Sequence, residues 1–181
     1  MQLLSTLVHN GTEYFTSNNI RHAITSGKIE VIDHFPVDFY NLLLDKLNED
    51  ANAIRSLKKM GITNEREMVE HFFDCNYSAF GGDADVTSCG KLGNREVVPC
   101  GKRDICPFEG KLCQLPNNIT KREAQISRAI AKAKMDAEIT KDLFISQNTL
   151  RNHKNNIEKK IGQTGKIAIA VWAEKVGLIQ G

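Results

Sequence analysis

Two stretches of this 181-residue sequence concentrate side chains that can do chemistry. The first is QNTLRNHKNNIEKK at residues 147–160. It arrays Gln147, Asn148, Arg151, Asn152, Lys154, Asn155, Asn156, Lys159 and Lys160 around a narrow apolar stripe of Leu150, Ile157 and Ile161. Cationic and amide side chains suit nucleic acid. A guanidinium forks onto guanine O6 and N7, a carboxamide pairs with adenine, and ammonium groups neutralise phosphate. Such a helix gains little from packing and much from DNA, although a charge-rich face can also be simply a solvated one.

The second stretch holds all five cysteines, Cys75, Cys89, Cys100, Cys106 and Cys113, among six glycines and two prolines. A glycine-rich, helix-poor segment of this length needs something to order it. Four thiolates in a closed tetrahedral zinc site would do so. Cys100, Cys106 and Cys113 are near enough in sequence to share such a site. Cys75 is the favoured fourth ligand over Cys89, because a ligand at a helix end would dock the loop onto the helical region. The spacings are not the two-residue knuckles of common zinc motifs. Reduced thiols and an iron–sulfur cluster are the alternatives, the latter compatible with Cys106-Pro107.

The elements that must position the cationic stretch are legible around it. Thr120 and Glu123 fit a capping box. Ile126, Ala129, Ile130 and Ala133 then recur at helical spacing. Asp136 is read as the cap of a short second helix with Ile139 and Leu143 inward. Phe144 and Ile145 are read as a tight apolar connection, and Ser146 as the N-cap of the third helix. Gly162 stops that helix. A fourth runs over about residues 166–176 and ends at Gly177.

These residues carry a resemblance. Through I-T-K-R-E at 119–123, A-E-I-T-K-D-L-F-I-S at 137–146, N-T-L-R-N-H at 148–153, N-I-E-K-K-I-G at 156–162 and V-W-A-E-K at 171–175, residues 117–179 resemble the LuxR/GerE-type DNA-binding domain. The sequence departs from that pattern where Ala133 or Lys134 replaces a glycine between the first two helices, and at Asp136 and Leu150. The resemblance implies a four-helix helix-turn-helix domain whose recognition helix, about residues 147–160, enters the major groove of duplex DNA. It places base-edge contacts at Arg151, Asn152 and Asn155, and phosphate contacts at Gln147, Thr149, Lys154 and Lys159. His153 is either a packed histidine or a phosphate ligand. The resemblance also makes Ile167, Val171 and Val176 of the fourth helix candidate dimer contacts, although Ile169 and Trp172 cannot all face outward. Region 4 of sigma factors is a similar four-helix pattern, and would make RNA polymerase a partner.

Charge separates the two ends. Residues 117–181 carry a net +6 and residues 1–116 a net −4, which the overall +2 conceals. A basic module beside an acidic one fits a DNA reader attached to a control domain. Composition is ordinary for a soluble protein, at 41% hydrophobic and 25% charged. No apolar run approaches a membrane span, and the opening MQLLSTLVHNGTEY lacks the basic start of a signal peptide. A cytoplasmic protein without membrane contact is expected. No phosphate-binding glycine loop, H-E-x-x-H or G-x-S-x-G is present, so an enzyme is not expected.

Residues 1–74 read as a helical regulatory or dimerisation domain. Residues 18–26 suggest a short helix stopped by Gly27, and residues 28–32 a brief strand. Pro36 opens a long helix that runs on through Leu57 to Gly61. Asn64 and Glu67 suggest another capping box, ahead of the apolar face of Met68, Val69, Phe72 and Phe73. The strand–helix alternation of a phospho-receiver is missing. The expectation is therefore a mostly α protein in three parts: helical residues 1–74, a Cys-rich irregular segment at 75–116, and a helix-turn-helix domain at 117–181 that folds and binds DNA without the rest. It is expected to work as a homodimeric, sequence-specific transcription regulator, with structural zinc or an iron–sulfur redox sensor between its ends.

Overall fold

The computed structural model describes residues 11–81 and 83–179. They form two compact units, Met1–Val98 with Lys111–Gln114, and Pro99–Gly110 with Leu115–Gly181. The stretch read as one Cys-rich segment is therefore divided between them.

The N-terminal unit is not all helical. It opens with an antiparallel meander, β1 Thr12–Ser17, β2 Ile20–Thr25 and β3 Lys28–Val31. The short helix expected at residues 18–26 is instead a hairpin turn followed by a strand. Asn18 and Asn19 take φ of 51° and 61°, and Ser26 and Gly27 take 51° and 77°. Two consecutive positive φ values make the tight turns whose twist matches paired strands. The brief strand expected at residues 28–32 is present.

The long helix expected from Pro36 is two helices, α1 Val37–Asn48 and α2 Ala51–Lys59. Asp50 leaves helical geometry and accepts from Asn52 N and Ala53 N, so it restarts the helix as an N-cap. Helix α3, Glu65–Asn76, is capped by Asn64, which accepts from Glu67 N. Phe39, Leu43, Leu47, Leu57, Val69, Phe72 and Phe73 from these helices make the core. The sheet lays one face on it: Tyr14 stacks on Phe39 at 3.8 Å, and Arg21 lies over Phe35 while pairing with Glu70 and Asp74.

Carboxylates organise the irregular chain that follows. Glu13 accepts from Gly81 N, Asp85 from Tyr14 N, and Glu96 from Ala79 N, at 2.6, 2.7 and 3.0 Å. Burial, then the charges of Glu96 and Glu13, pushes Asp85 up to about 8, against the hydrogen bond from Tyr14. Burial, with Glu13 and Asp83 nearby, pushes Glu96 up to about 7.

The C-terminal unit packs four helices, α4 Lys121–Ala131, α5 Asp136–Leu143, α6 Gln147–Ile161 and α7 Lys166–Lys175. Ile126, Ile130, Ile139, Leu150, Ile157 and Ile169 form one apolar cluster, and Leu115, Ile119, Ala124, Trp172, Ala173 and Leu178 a second. The unit also includes residues 99–110, which the sequence assigned elsewhere. Glu109, 1% exposed, lies between the buried guanidiniums of Arg103 and Arg128. Arg128 further donates to Leu178 O at 2.9 Å, and Asp104 lies 3.6 Å from it. In the full chain Arg128 therefore takes its partner from outside the 117–181 span read from sequence. Among the described residues, no helix is long and apolar enough to cross a membrane.

Candidate nucleic-acid interface

The Thr120–Glu123 capping box forms in full, with Glu123 accepting from Thr120 N at 2.7 Å and Thr120 Oγ1 from Glu123 N at 3.2 Å. Burial works to raise the Glu123 carboxyl, but hydrogen bonds from Lys160 and Thr120 outweigh it and hold the group below its usual range. Ala133 takes the turn where the LuxR pattern has glycine, at φ 59°. The fold therefore survives the replacement by accepting a left-handed alanine, a conformation that costs an L-residue roughly 1 kcal/mol.

Asp136 is the first helical residue of α5 and not its cap. Met135 holds the cap position, and its N–H is accepted by Glu138 at 2.6 Å. The Asp136 carboxylate turns instead to Lys154 at 3.0 Å, with Lys166 at 3.7 Å. The α5–α6 turn is only half apolar. Ile145 packs against the core, but Phe144 sits at φ 52° and is 93% exposed. Ser146 then caps α6, accepting from Thr149 N at 3.0 Å, and Gly162 ends it at φ 69°. Glu158 accepts from Gly165 N, fixing the approach to α7.

Helix α6 has two unlike sides. Leu150 and Ile157 are buried, Lys154 leans inward to Asp136, and His153 is half-buried with no partner for Nδ1 among the described residues. Gln147, Asn148, Arg151, Asn152, Asn155 and Lys159 are exposed, and Thr149 is half-buried. Among the described residues, neither Arg151 nor Lys159 has a carboxylate within ion-pair distance. Several other cations of the unit are committed: Lys134 to Asp142, Lys154 to Asp136, Lys160 to Glu123, and Arg128 to Glu109. Among the described residues, Arg151 and Lys159 are thus left as cations without a carboxylate neighbour on the outer face of α6. Sequence patterning could not show this, because the pairs join residues up to 37 positions apart.

On α7, Ile167 and Val171 stand exposed, whereas Val176 packs partly against the cluster around Trp172. Ile169 and Trp172 are buried, with Trp172 Nε1 donating to Asn117 at 3.2 Å. Of the cysteines, Cys75 and Cys113 belong to the N-terminal unit and Cys100 and Cys106 to the C-terminal one; all four are half-buried, and Cys89 is exposed. Among the described residues, no group of three or more His, Cys, Asp or Glu side chains is placed to hold a metal.

Four helices in this order, with α5 and α6 joined by a short capped turn and α6 presenting an exposed cationic and amide face, define a helix-turn-helix regulatory domain. Residues 117–173 match the family model for bacterial regulatory proteins of the luxR family, GerE. The chain belongs to that family. It is 34% identical over 62 residues to the spore germination protein GerE of Bacillus subtilis (strain 168), covering 34% of this chain and 84% of GerE. It is 44% identical over 62 residues to the regulatory protein SdiA of Escherichia coli (strain K12), covering 34% of this chain and 26% of SdiA. It is 36% identical over 62 residues to the transcriptional regulatory protein LiaR of Bacillus subtilis (strain 168), covering 34% of this chain and 29% of LiaR. The chain thus spans about a quarter of SdiA's length, and the likeness lies in the C-terminal unit.

Proposed function

We propose that the protein is a DNA-binding transcription regulator that reads duplex DNA in a sequence-specific way and acts as a homodimer. Helix α6 enters the major groove, where Arg151, Asn152 and Asn155 meet base edges while Gln147, Thr149 and Lys159 meet phosphates. The observation that carries this reading is the outer face of α6: exposed Arg151 and Lys159 without acidic partners among the described residues, on a helix anchored from behind by Leu150 and Ile157. Lys154 reaches phosphate only by releasing Asp136, so its contribution is smaller than that of Lys159. Ile167 and Val171 supply an exposed apolar contact for a second copy in the DNA-bound pair.

Titration of duplex variants with full-length protein tests this. Arg151→Ala should relax discrimination at one base pair by about 1–3 kcal/mol, and Lys159→Ala should weaken all duplexes equally and lower the salt slope. Binding unchanged by both substitutions would remove α6 from the interface. Nothing in the structure specifically favours the sigma-factor reading. A zinc or iron–sulfur group on Cys75, Cys100, Cys106 and Cys113 remains a separate proposal. The observation that bears on it is the N–H of Lys102, which donates to Cys100 Sγ at 3.4 Å. No step of the proposed DNA reading runs through that group.

A further inference from the structure

The two edges of the N-terminal sheet are treated differently. On β1, each outward N–H has a partner: Thr12 donates to Val86 O at 2.8 Å, Tyr14 to Asp85 at 2.7 Å, and Thr16 to Ser78 O at 3.1 Å. On the far edge, Ile32 N donates inward to Arg21 O, which fixes the phase of β3. By the strand register, Lys28 and Glu30 then bond inward to β2, while Ile29 and Val31 aim their backbone N–H and C=O outward. All of β3 is exposed, and Ile29 and Val31 are each 62% exposed. Their side chains share a sheet face with Ile20, itself 48% exposed. Exposed apolar edge strands template pairing with another chain unless something blunts them.

We propose that β3 is the seat of self-association, pairing antiparallel with β3 of a second copy about a two-fold axis at Ile29. This rests on the reading that the protein works as a homodimer, and assigns part of that dimer to the N-terminal unit. The sequence of the strand, Lys-Ile-Glu-Val, selects both the occupant and the register. Centring on Ile29 lets the two Ile29 residues exchange both backbone bonds and sets Lys28 opposite Glu30 of the second copy, twice by symmetry. The next allowed register centres on Glu30 and puts two like charges face to face, which is destabilising. The strand is therefore complementary to itself in one register only. A four-residue ladder buries less than the roughly 800 Å² per partner of a standard interface, so the contact is weak alone. A second link between copies, on DNA or through α7, strengthens it through effective concentration.

The test combines sedimentation equilibrium with amide hydrogen exchange on full-length protein. Association is expected, with the Ile29 and Val31 amides exchanging more slowly as protein concentration rises. Lys28→Glu should weaken association about fivefold by opposing like charges twice, and Lys28→Glu with Glu30→Lys should restore it. Ile29→Pro removes an outward N–H and leaves the β2–β3 ladder intact, so it should weaken association about tenfold or more. Association that survives Ile29→Pro but is lost in Ile167→Glu would overturn the β3 assignment and leave the dimer reading standing. A monomer whose Ile29 and Val31 amides are protected at every concentration would mean that the edge is covered within one chain. A monomer with fast exchange at every concentration would overturn the β3 contact together with any dimer of the free protein.

Discussion

Replacing Glu109 with Gln should destabilise the C-terminal unit by an amount large for so small a body. The carboxylate is 1% exposed and meets the guanidiniums of Arg103 and Arg128, both 97% buried by side chain. Glutamine keeps the shape but removes the charge. It takes the charge away from both buried guanidiniums, and leaves Arg128 with Asp104, half-exposed and 3.6 Å away, as its nearest carboxylate. Breaking a buried pair by neutralising one partner costs about 3–5 kcal/mol. A unit of this size has a total stability of roughly 4–12 kcal/mol, so the change removes a quarter or more of it. The chain's one tryptophan, Trp172, is buried in this unit, so its fluorescence reports unfolding there selectively. Urea titration of the full-length protein should show an earlier midpoint at unchanged slope. Adding Arg103→Met to Glu109→Gln should recover part of the loss, since it removes one of the two buried cations that Glu109 faced. A Glu109→Gln unfolding free energy within about 1 kcal/mol of the parent would mean that this charge cluster does not hold residues 99–110 onto the domain.

Three further outcomes are expected. Asp85 holds its proton up to about 8 in the folded protein but releases it near 3.8 when unfolded, so the folded state binds more protons across that window and stability falls as pH rises through it. Glu96, raised from 4.5 to about 7, adds in the same direction, and Asp85→Asn should flatten the decline, measured by calorimetry from pH 5 to 8. Ala133→Gly relieves a left-handed alanine and should raise the unfolding free energy read from Trp172 fluorescence by about 1 kcal/mol; a lower value would show that the turn is not strained. If thiolates hold zinc, gently purified protein should carry about one metal per chain and lose it in Cys100→Ser. Metal-free protein of unchanged stability would end that proposal.

The C-terminal half was legible because local chemistry dictates it. Thr120, Ser146 and Gly162 are read from sequence as caps and stops and act as such, and Leu150 and Ile157 define the buried stripe of α6. What stayed hidden is non-local. The pairing of Lys154 with Asp136, and of Arg128 with Glu109, depends on where helices cross, which periodicity does not encode. The Asn18-Asn19 and Ser26-Gly27 turns carried a hairpin signal, yet a helical reading of residues 18–26 overlooked the alternation of Phe15, His22 and Ile24 on one face. Asp50 was passed over because apolar spacing continues across it, although an Asp two residues ahead of a fresh amide pair is a capping signal.

The proposed DNA reading places the outer face of α6 in the major groove of duplex DNA. Dimethyl sulfate probing of a bound duplex addresses it directly, since guanine N7 lies in the major groove and adenine N3 in the minor groove. The full-length protein should protect N7 of specific guanines, and Arg151→Ala should lose protection at one of them while the others remain. Protection confined to adenine N3, or an N7 pattern identical in Arg151→Ala, would contradict the account.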